Sequence, residues 1–361
     1  MRSSSELLLL VLAGVIAVVV VRYVGTRTAM SNVAYATPTP TGTVQPTPTP
    51  APPTEAAPTG AASATHAPGA TAEPIATGST TKQMLYSATL GKPINYIVYL
   101  PGGYAHTTER YPVIYLLHGR GDSMASWEPI TSLVDDMIKA GEMPPAILIL
   151  PDAPSSKRAG YYVDSLFGGN DSLPPGEKVE TAFTKDLIAH VDATYRTVAN
   201  RNGRAVAGYS MGGYGALRYL LAHPDLFRAG IALSPAVYYP LPPAGSSTRE
   251  FGAFGNGSVL FDESVYTQKN YPALFPAFEA ANLPSALFIA VGDDESANPN
   301  PADAVHDLDY EAHTLYNKAR RVKNLLVELR VMDGGHDWQV WRPGFIEGLH
   351  YIFKFITAQD K

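Results

Sequence analysis

The residues best equipped for chemistry are Gly208-Tyr209-Ser210-Met211-Gly212, a G-x-S-x-G stretch. Arg204 to Ala207 before it reads as a short buried strand, and Gly213 to Leu221 after it reads as a helix. A serine on a sharp strand-to-helix turn is held in a strained backbone conformation, and the small flanking residues let strand and helix approach closely enough to expose its hydroxyl. That hydroxyl is a weak nucleophile until a base takes its proton. Of nine histidines, His336 has the right setting. The strand-like run Asn324 to Met332 and the turn Asp333-Gly334-Gly335 precede it, and an amphipathic helical pattern from about Trp338 to Ile356 follows. A histidine on a glycine-rich loop at a strand end has no core to satisfy, which favours a functional role. His190, His223 and His350 fall on or beside helical patterns, His66 in a linker and His106 in a turn.

A triad needs a carboxylate that accepts a hydrogen bond from the imidazole and fixes its tautomer. The one strong apolar run between Ser210 and His336, Ser285 to Val291, ends in Gly292-Asp293-Asp294-Glu295, and the three adjacent carboxylates compete for the role. An oxyanion hole takes the N–H after the nucleophile and a second N–H from a loop after an earlier strand. Met211 supplies the first. The strand Tyr111 to Leu117 ends in His118-Gly119-Arg120-Gly121, which offers the second at Arg120. His118 has no second ligand at metal-binding spacing, so no metal is expected there. The run His306-Asp307-Leu308-Asp309 with His313 reads as a solvated helical face. We expect neither metal nor other cofactor.

These residues must be carried by alternating strands and helices. The pattern predicts strands at 83–90, 94–100, 113–117 and 146–150, the nucleophile strand, and strands at 229–233, 285–291 and 324–332. Helices are predicted at 130–140, 179–195, after Ser210, at 307–323 and at the C-terminus. This is an α/β fold, a mostly parallel sheet covered on both faces, with function at the carboxyl ends of the strands. Pro235 to about Pro276, rich in aromatics, glycine and proline, would overhang the nucleophile as an acyl-group lid or a packed insertion. Asp152, Tyr161, Tyr162 and Asp164 follow a strand end and are expected beside the pocket.

From about Lys82 to Ile356 the chain resembles the esterase D-like branch of the α/β-hydrolases. That branch includes S-formylglutathione hydrolases, feruloyl and acetyl-xylan esterases, siderophore esterases and mycolyltransferases. The segments that carry the resemblance are Val98-Tyr99-Leu100-Pro101 with Gly103-Tyr104, Tyr111-Pro112 to Gly119 with Trp127, Gly208 to Leu217 with His223-Pro224-Asp225-Leu226-Phe227 and Ser234, and Gly335-His336-Asp337-Trp338 with Val340-Trp341-Arg342-Pro343-Gly344. The last is most similar to the feruloyl-esterase subgroup. The resemblance implies the α/β-hydrolase fold, Ser210 as nucleophile, His336 as base, and Met211 and Arg120 as oxyanion donors. Its acid stands three residues after the glycine that ends the strand, which here is Glu295, where most members have Asp; Asp294 is the alternative acid. Substrate contacts are expected from His118, Trp127, Asp152 and Trp338.

A net charge of −6 gives no cationic surface for nucleic acid. With no cysteine there is neither a disulfide nor a thiolate nucleophile. Arg2 precedes an unbroken apolar run from Leu7 to Val21, and Ala34-Tyr35-Ala36 offers a cleavage site, so residues 1–36 read as a signal peptide or an N-terminal membrane anchor. Residues 37–81, nearly all Thr, Pro, Ala, Gly and Ser over most of their length, read as a disordered stalk, because such a tract buries too little apolar surface to offset the entropy of ordering. Residues 82–361 make one esterase domain. The expectation is an extracytoplasmic serine carboxylester hydrolase, secreted or tethered through Leu7 to Val21, acting on a small-molecule or polysaccharide-linked ester. An acyltransferase with the same triad and a non-catalytic binding module on a stalk are the other classes considered.

Overall fold

The computed structural model describes residues 76–154, 160–295 and 300–356. The segment 1–36 and the tract that follows it up to residue 75 lie outside the described residues. Among the described residues no helix is long and apolar enough to cross a membrane.

The chain enters through an antiparallel hairpin, β1 (Ser79–Ser87) and β2 (Lys92–Leu100), and continues with β3 (Val113–Leu117), α1 (Glu128–Lys139), β4 (Ile147–Pro151) and the short β5 (Leu166–Phe167). Helix α2 (Val179–Thr181) runs through a π-helical turn, Ala182–Leu187, into α3 (Ile188–Thr194). Then come β6 (Arg204–Tyr209), α4 (Met211–Ala222), β7 (Ala229–Leu233), β8 (Asn256–Gly257), α5 (Glu263–Lys269), α6 (Tyr271–Ala281), β9 (Ser285–Gly292), α7 (Leu308–Ala319), β10 (Leu325–Met332) and α8 (Trp338–Ile352). Eight strands form one sheet in the order β1-β2-β4-β3-β6-β7-β9-β10. Strand β2 pairs antiparallel with β1 and β4, and every pair from β4 to β10 is parallel.

The central strands are apolar without alternation because both faces are covered. Along β3, Val113, Tyr115 and Leu117 join one core cluster with Phe183, Val191 and Leu217, whereas Ile114 and Leu116 join the other with Val134, Phe345 and Leu349. The side-chain period of two thus splits one strand between two cores. The α/β fold expected from the sequence is the fold observed, with three local departures. Strand β1 begins at Ser79, inside the stretch expected as stalk, because an edge strand with six leading exposed positions needs few apolar residues. The helix expected at 179–195 is interrupted by the π-turn. The insertion after β7 holds α5 and α6, whose starts are capped by Asp262, accepting from Ser264 N and Val265 N, and by Asn270, accepting from Tyr271 N. Phe254, Tyr266 and Tyr271 of this insertion are core residues, so most of it is packed structure.

Candidate active site

Ser210 stands between β6 and α4 with φ 55° and ψ −120°, in the left-handed region that a serine occupies only when its surroundings force it. The forcing is local. A Cβ on Gly212 would lie 2.0 Å from the Leu117 carbonyl oxygen, and one on Gly208 would lie 2.2 Å from that of Gly212. Helix α4 therefore starts directly against β3 and β6, and its first residue, Met211, carries one of the N–H groups that a helix start leaves without an intrahelical partner.

His336 arrives on the loop after β10, and Glu295 on the loop after the neighbouring β9. Backbone hydrogen bonds hold these two loops together: Asp293 N donates to Met332 O at 2.9 Å and Asp294 N to Gly334 O at 3.0 Å. His336 Nε2 lies 2.9 Å from Ser210 Oγ, and His336 Nδ1 lies 2.8 Å from Glu295 Oε2. Glu295 is buried, its side chain 0% exposed, and its Oε1 accepts from Gly292 N at 2.8 Å and from the Ser234 hydroxyl. The indole N–H of Trp341 donates to Ser234 Oγ at 2.9 Å. Of the carboxylates expected to compete, Glu295 meets the imidazole, Asp294 is exposed at the cavity wall, and Asp293 accepts from Gly334 N.

A cavity of about 280 Å³ opens over Ser210, and Met211, Arg120, Tyr161, Tyr238 and His336 are among its lining residues. Both expected oxyanion residues, Met211 and Arg120, thus border it. The loop carrying Arg120 is fixed from behind by His118, which is fully buried. Ala153 N donates to His118 Nε2 at 2.9 Å, so Nδ1 carries the proton and donates to Gly119 O at 2.8 Å. Tyr162 Oη donates to His118 O at 2.9 Å. Burial pushes the His118 imidazole down from its ordinary value, in keeping with a neutral ring.

Two of the expected substrate contacts, His118 and Trp127, require correction. His118 has both ring nitrogens occupied and no exposed surface, so it supports the loop and does not line the cavity. Trp127 is likewise fully buried, packed against Tyr209, Trp338 and Phe345. Asp152 accepts from Met124 N at 2.8 Å and anchors the turn before α1. Trp338 is half-buried and packs with Tyr209 and Trp341. Asp164 accepts from Thr181 N at 2.9 Å, at the start of the α2 segment. Sequence reasoning missed Ser247 and Leu308, which line the cavity from the insertion and from α7. Of the run expected as a solvated face, His313 is exposed, whereas Leu308 is buried and His306 Nδ1 lies 2.8 Å from Glu311 Oε1.

Comparison with known proteins agrees with this architecture. Residues 87–352 match the model of the Esterase family, described as "Putative esterase". An endo-1,4-beta-xylanase/feruloyl esterase of Xylanibacter ruminicola is 32% identical over 171 residues, covering 45% of this chain and 22% of that protein. Esterase Rv1288 of Mycobacterium tuberculosis is 36% identical over 122 residues, covering 34% of this chain and 25% of that protein. The chain thus spans about a quarter of the length of these curated relatives. A solved ferulic acid esterase superposes with a TM-score of 0.61 at 25% identity, covering 78% of this chain and 99% of its own. The family match takes in every strand of the main sheet from β2 to β10 and all three residues of the hydrogen-bonded series, and on that footing the chain belongs to the Esterase family.

Proposed function

We propose that this protein is a serine carboxylester hydrolase that works through an acyl-enzyme. The observation that carries the reading is the continuous series Ser210 Oγ, His336 Nε2, His336 Nδ1 and Glu295 Oε2 at the wall of the cavity. Ser210 Oγ attacks the ester carbonyl carbon while its proton passes to His336 Nε2. The carbonyl oxygen, now negative, accepts from the N–H groups of Met211 and Arg120. Collapse breaks the ester C–O bond, and the departing alcohol takes the proton from His336. Water then attacks the acyl-enzyme with His336 again as base, releasing the carboxylic acid and restoring the Ser210 hydroxyl. Glu295 orients the imidazole and stabilises its cationic form.

The cavity of about 280 Å³ stands at the small end of ligand pockets, which run from about 300 to 1,000 Å³. Its size favours a short acyl or single-ring aryl group over a long alkyl chain, and Tyr161 and Tyr238 give an aryl group flat surfaces to pack on. A relative named feruloyl esterase supports the same substrate class. The reading extends to an extracytoplasmic enzyme, secreted or tethered by Leu7 to Val21 with residues 37–81 as stalk, on the strength of the apolar run and the Thr/Pro tract. Separation of expressing cells into soluble, membrane and medium fractions tests that part, and protein found with the cytosolic marker alone would refute it.

Activity is tested on the full chain with p-nitrophenyl esters of increasing chain length, methyl ferulate and acetylated xylan. Rates should be highest for short acyl or feruloyl esters, and Ser210→Ala and His336→Ala should each abolish turnover, because triad members act as a unit. A Ser210→Ala protein that turns over at near wild-type rate would overturn the reading.

A further inference from the structure

The Glu295 carboxylate is held by more than the imidazole it faces. Oε1 accepts from Gly292 N and from the Ser234 hydroxyl, and Ser234 Oγ in turn accepts from Trp341 Nε1. The direction of the first two bonds in this series follows from one fact, that an indole N–H can only donate, and the direction of the others from the backbone N–H being a donor and the ionised carboxylate an acceptor. Ser234 Oγ must therefore be the acceptor of that bond, and its single proton is left for Glu295 Oε1. A backbone N–H can also only donate, so Oε1 receives two protons from fixed donors. Oε2 then takes the proton of His336 Nδ1, which leaves His336 Nε2 bare to accept from Ser210.

We propose that Ser234 and Trp341 are positioning residues of the catalytic acid, a buried Trp341-to-Ser234-to-Glu295 hydrogen-bond relay that sets the orientation of Glu295 and, through it, the tautomer of His336. The inference rests on the triad reading above. Three further observations support it. Ser234 is fully buried and held at φ 40°, a left-handed conformation that a serine adopts at a cost and that surrounding structure must maintain. Its N–H donates to Ala290 O at 2.7 Å, tying it to the strand that delivers the acid. Trp341 stacks on Tyr209, the residue before the nucleophile, with ring centroids 4.3 Å apart, and meets His336 edge to face at 5.0 Å. The relay therefore ends on a ring locked between two parts of the site. The need for it is chemical. A glutamate has one more rotatable bond than an aspartate, and its carboxylate reaches a fixed position only if its second oxygen is clamped.

The test is a double-mutant cycle on the full chain, with kcat and KM measured for the best p-nitrophenyl ester. Ser234→Ala removes the donor to Glu295 and should lower kcat about tenfold with KM unchanged, the usual scale for losing a hydrogen bond to a charged group. Trp341→Phe keeps a ring against Tyr209 and His336 but removes the N–H, and should lower kcat about threefold. In the Ser234→Ala background Trp341→Phe should cost almost nothing further, because its effect passes through the missing hydroxyl. Equal losses in both backgrounds would show that Trp341 acts by packing alone and overturn the proposal, as would a wild-type kcat in Ser234→Ala. If Ser234→Ala fails to fold, Trp341→Phe decides: a lowered kcat at unchanged KM and Tm supports the relay, and an unchanged kcat refutes it. Ser210→Ala measured alongside separates the two levels, since its retaining activity sinks the triad itself, whereas an inactive Ser210→Ala with an unaffected Ser234→Ala sinks only the relay.

Discussion

Asp294 and Glu295 are neighbours in the chain and opposites in the structure. Asp294 is exposed, with its N–H spent on Gly334 O, whereas Glu295 is 3% exposed and turns its Oε2 to within 2.8 Å of His336 Nδ1. Backbone hydrogen bonds between the loops after β9 and β10 set this division, because they fix which of two consecutive side chains points inward.

Glu295→Gln is therefore expected to be severe. The Ser234 hydroxyl and Gly292 N–H demand an acceptor at Oε1, so the amide oxygen settles there and the NH2 faces His336. An amide donor at that position forces Nδ1 to accept and puts the proton on Nε2, where it faces Ser210 and blocks the base. The corresponding tautomer error in a triad lowers kcat by up to ~10⁴. Asp294→Asn should change kcat only a few-fold. Steady-state kinetics on the two variants decides the matter, and the reverse ranking would move the acid to Asp294.

Arg120 separates a backbone role from a side-chain role. If its N–H is the second oxyanion donor, Arg120→Ala keeps that donor and should hold kcat within a few-fold, while KM shifts because the side chain borders the cavity. Loss of one oxyanion donor costs about 10²–10³ in kcat. A fall of that size at constant KM would mean that the guanidinium, rather than the backbone, holds the developing charge.

Gly212→Ala tests the close contact that shapes the turn carrying Ser210. Its Cβ would stand 2.0 Å from Leu117 O, so α4 and β3 would have to separate. We expect a loss of about 1–3 kcal/mol in denaturant unfolding, the range of overpacked sites, together with a fall in kcat as Ser210 moves. Gly245→Ala is the control, because an added Cβ there meets nothing within 4 Å and should leave both quantities unchanged. Equal effects at the two positions would refute the steric account.

What the sequence revealed follows from what each residue contacts. Val113–Leu117 and Ala229–Leu233 were legible to the residue because a parallel strand buried on both faces is an uninterrupted apolar run. The place of Ser210 on a strand-to-helix turn was legible from the spacing of its glycines, and that of His336 on the loop after the last strand from a glycine turn with no core around it. The choice between Asp294 and Glu295 was not legible from loop geometry, since adjacent loop residues differ only in direction and tertiary hydrogen bonds set that direction. Strand β1 was hidden by its exposure at the sheet edge, and α6 by Pro272 and Pro276, which read as loop although Asn270 caps the helix and Pro272 stands in its first turn. His118 and Trp127 stand in segments near the site yet are fully buried, which spacing alone does not reveal.

The buried Glu311 gives the fold a pH dependence of its own. It is 1% exposed on α7; its Oε1 accepts from Tyr239 N at 2.9 Å and lies 2.8 Å from His306 Nδ1, and its Oε2 has no partner among the described residues. Burial, only partly offset by His306 and the Tyr239 N–H, pushes its carboxyl up from 4.5 to about 6. A carboxyl whose folded value exceeds its unfolded one binds more protons in the native state, so stability falls as pH rises between about 4.5 and 6. At 1.36 kcal/mol per pH unit, the cost at neutral pH is about 2 kcal/mol. Glu311→Gln removes the charge while keeping an acceptor for Tyr239 N, so its Tm should lack this component of the decline and match or exceed wild type at pH 7. Thermal melts of both proteins from pH 4 to 8 measure the difference directly. Parallel Tm curves across that window, or a Glu311→Gln protein clearly less stable at pH 7, would show that His306 compensates the buried charge in full.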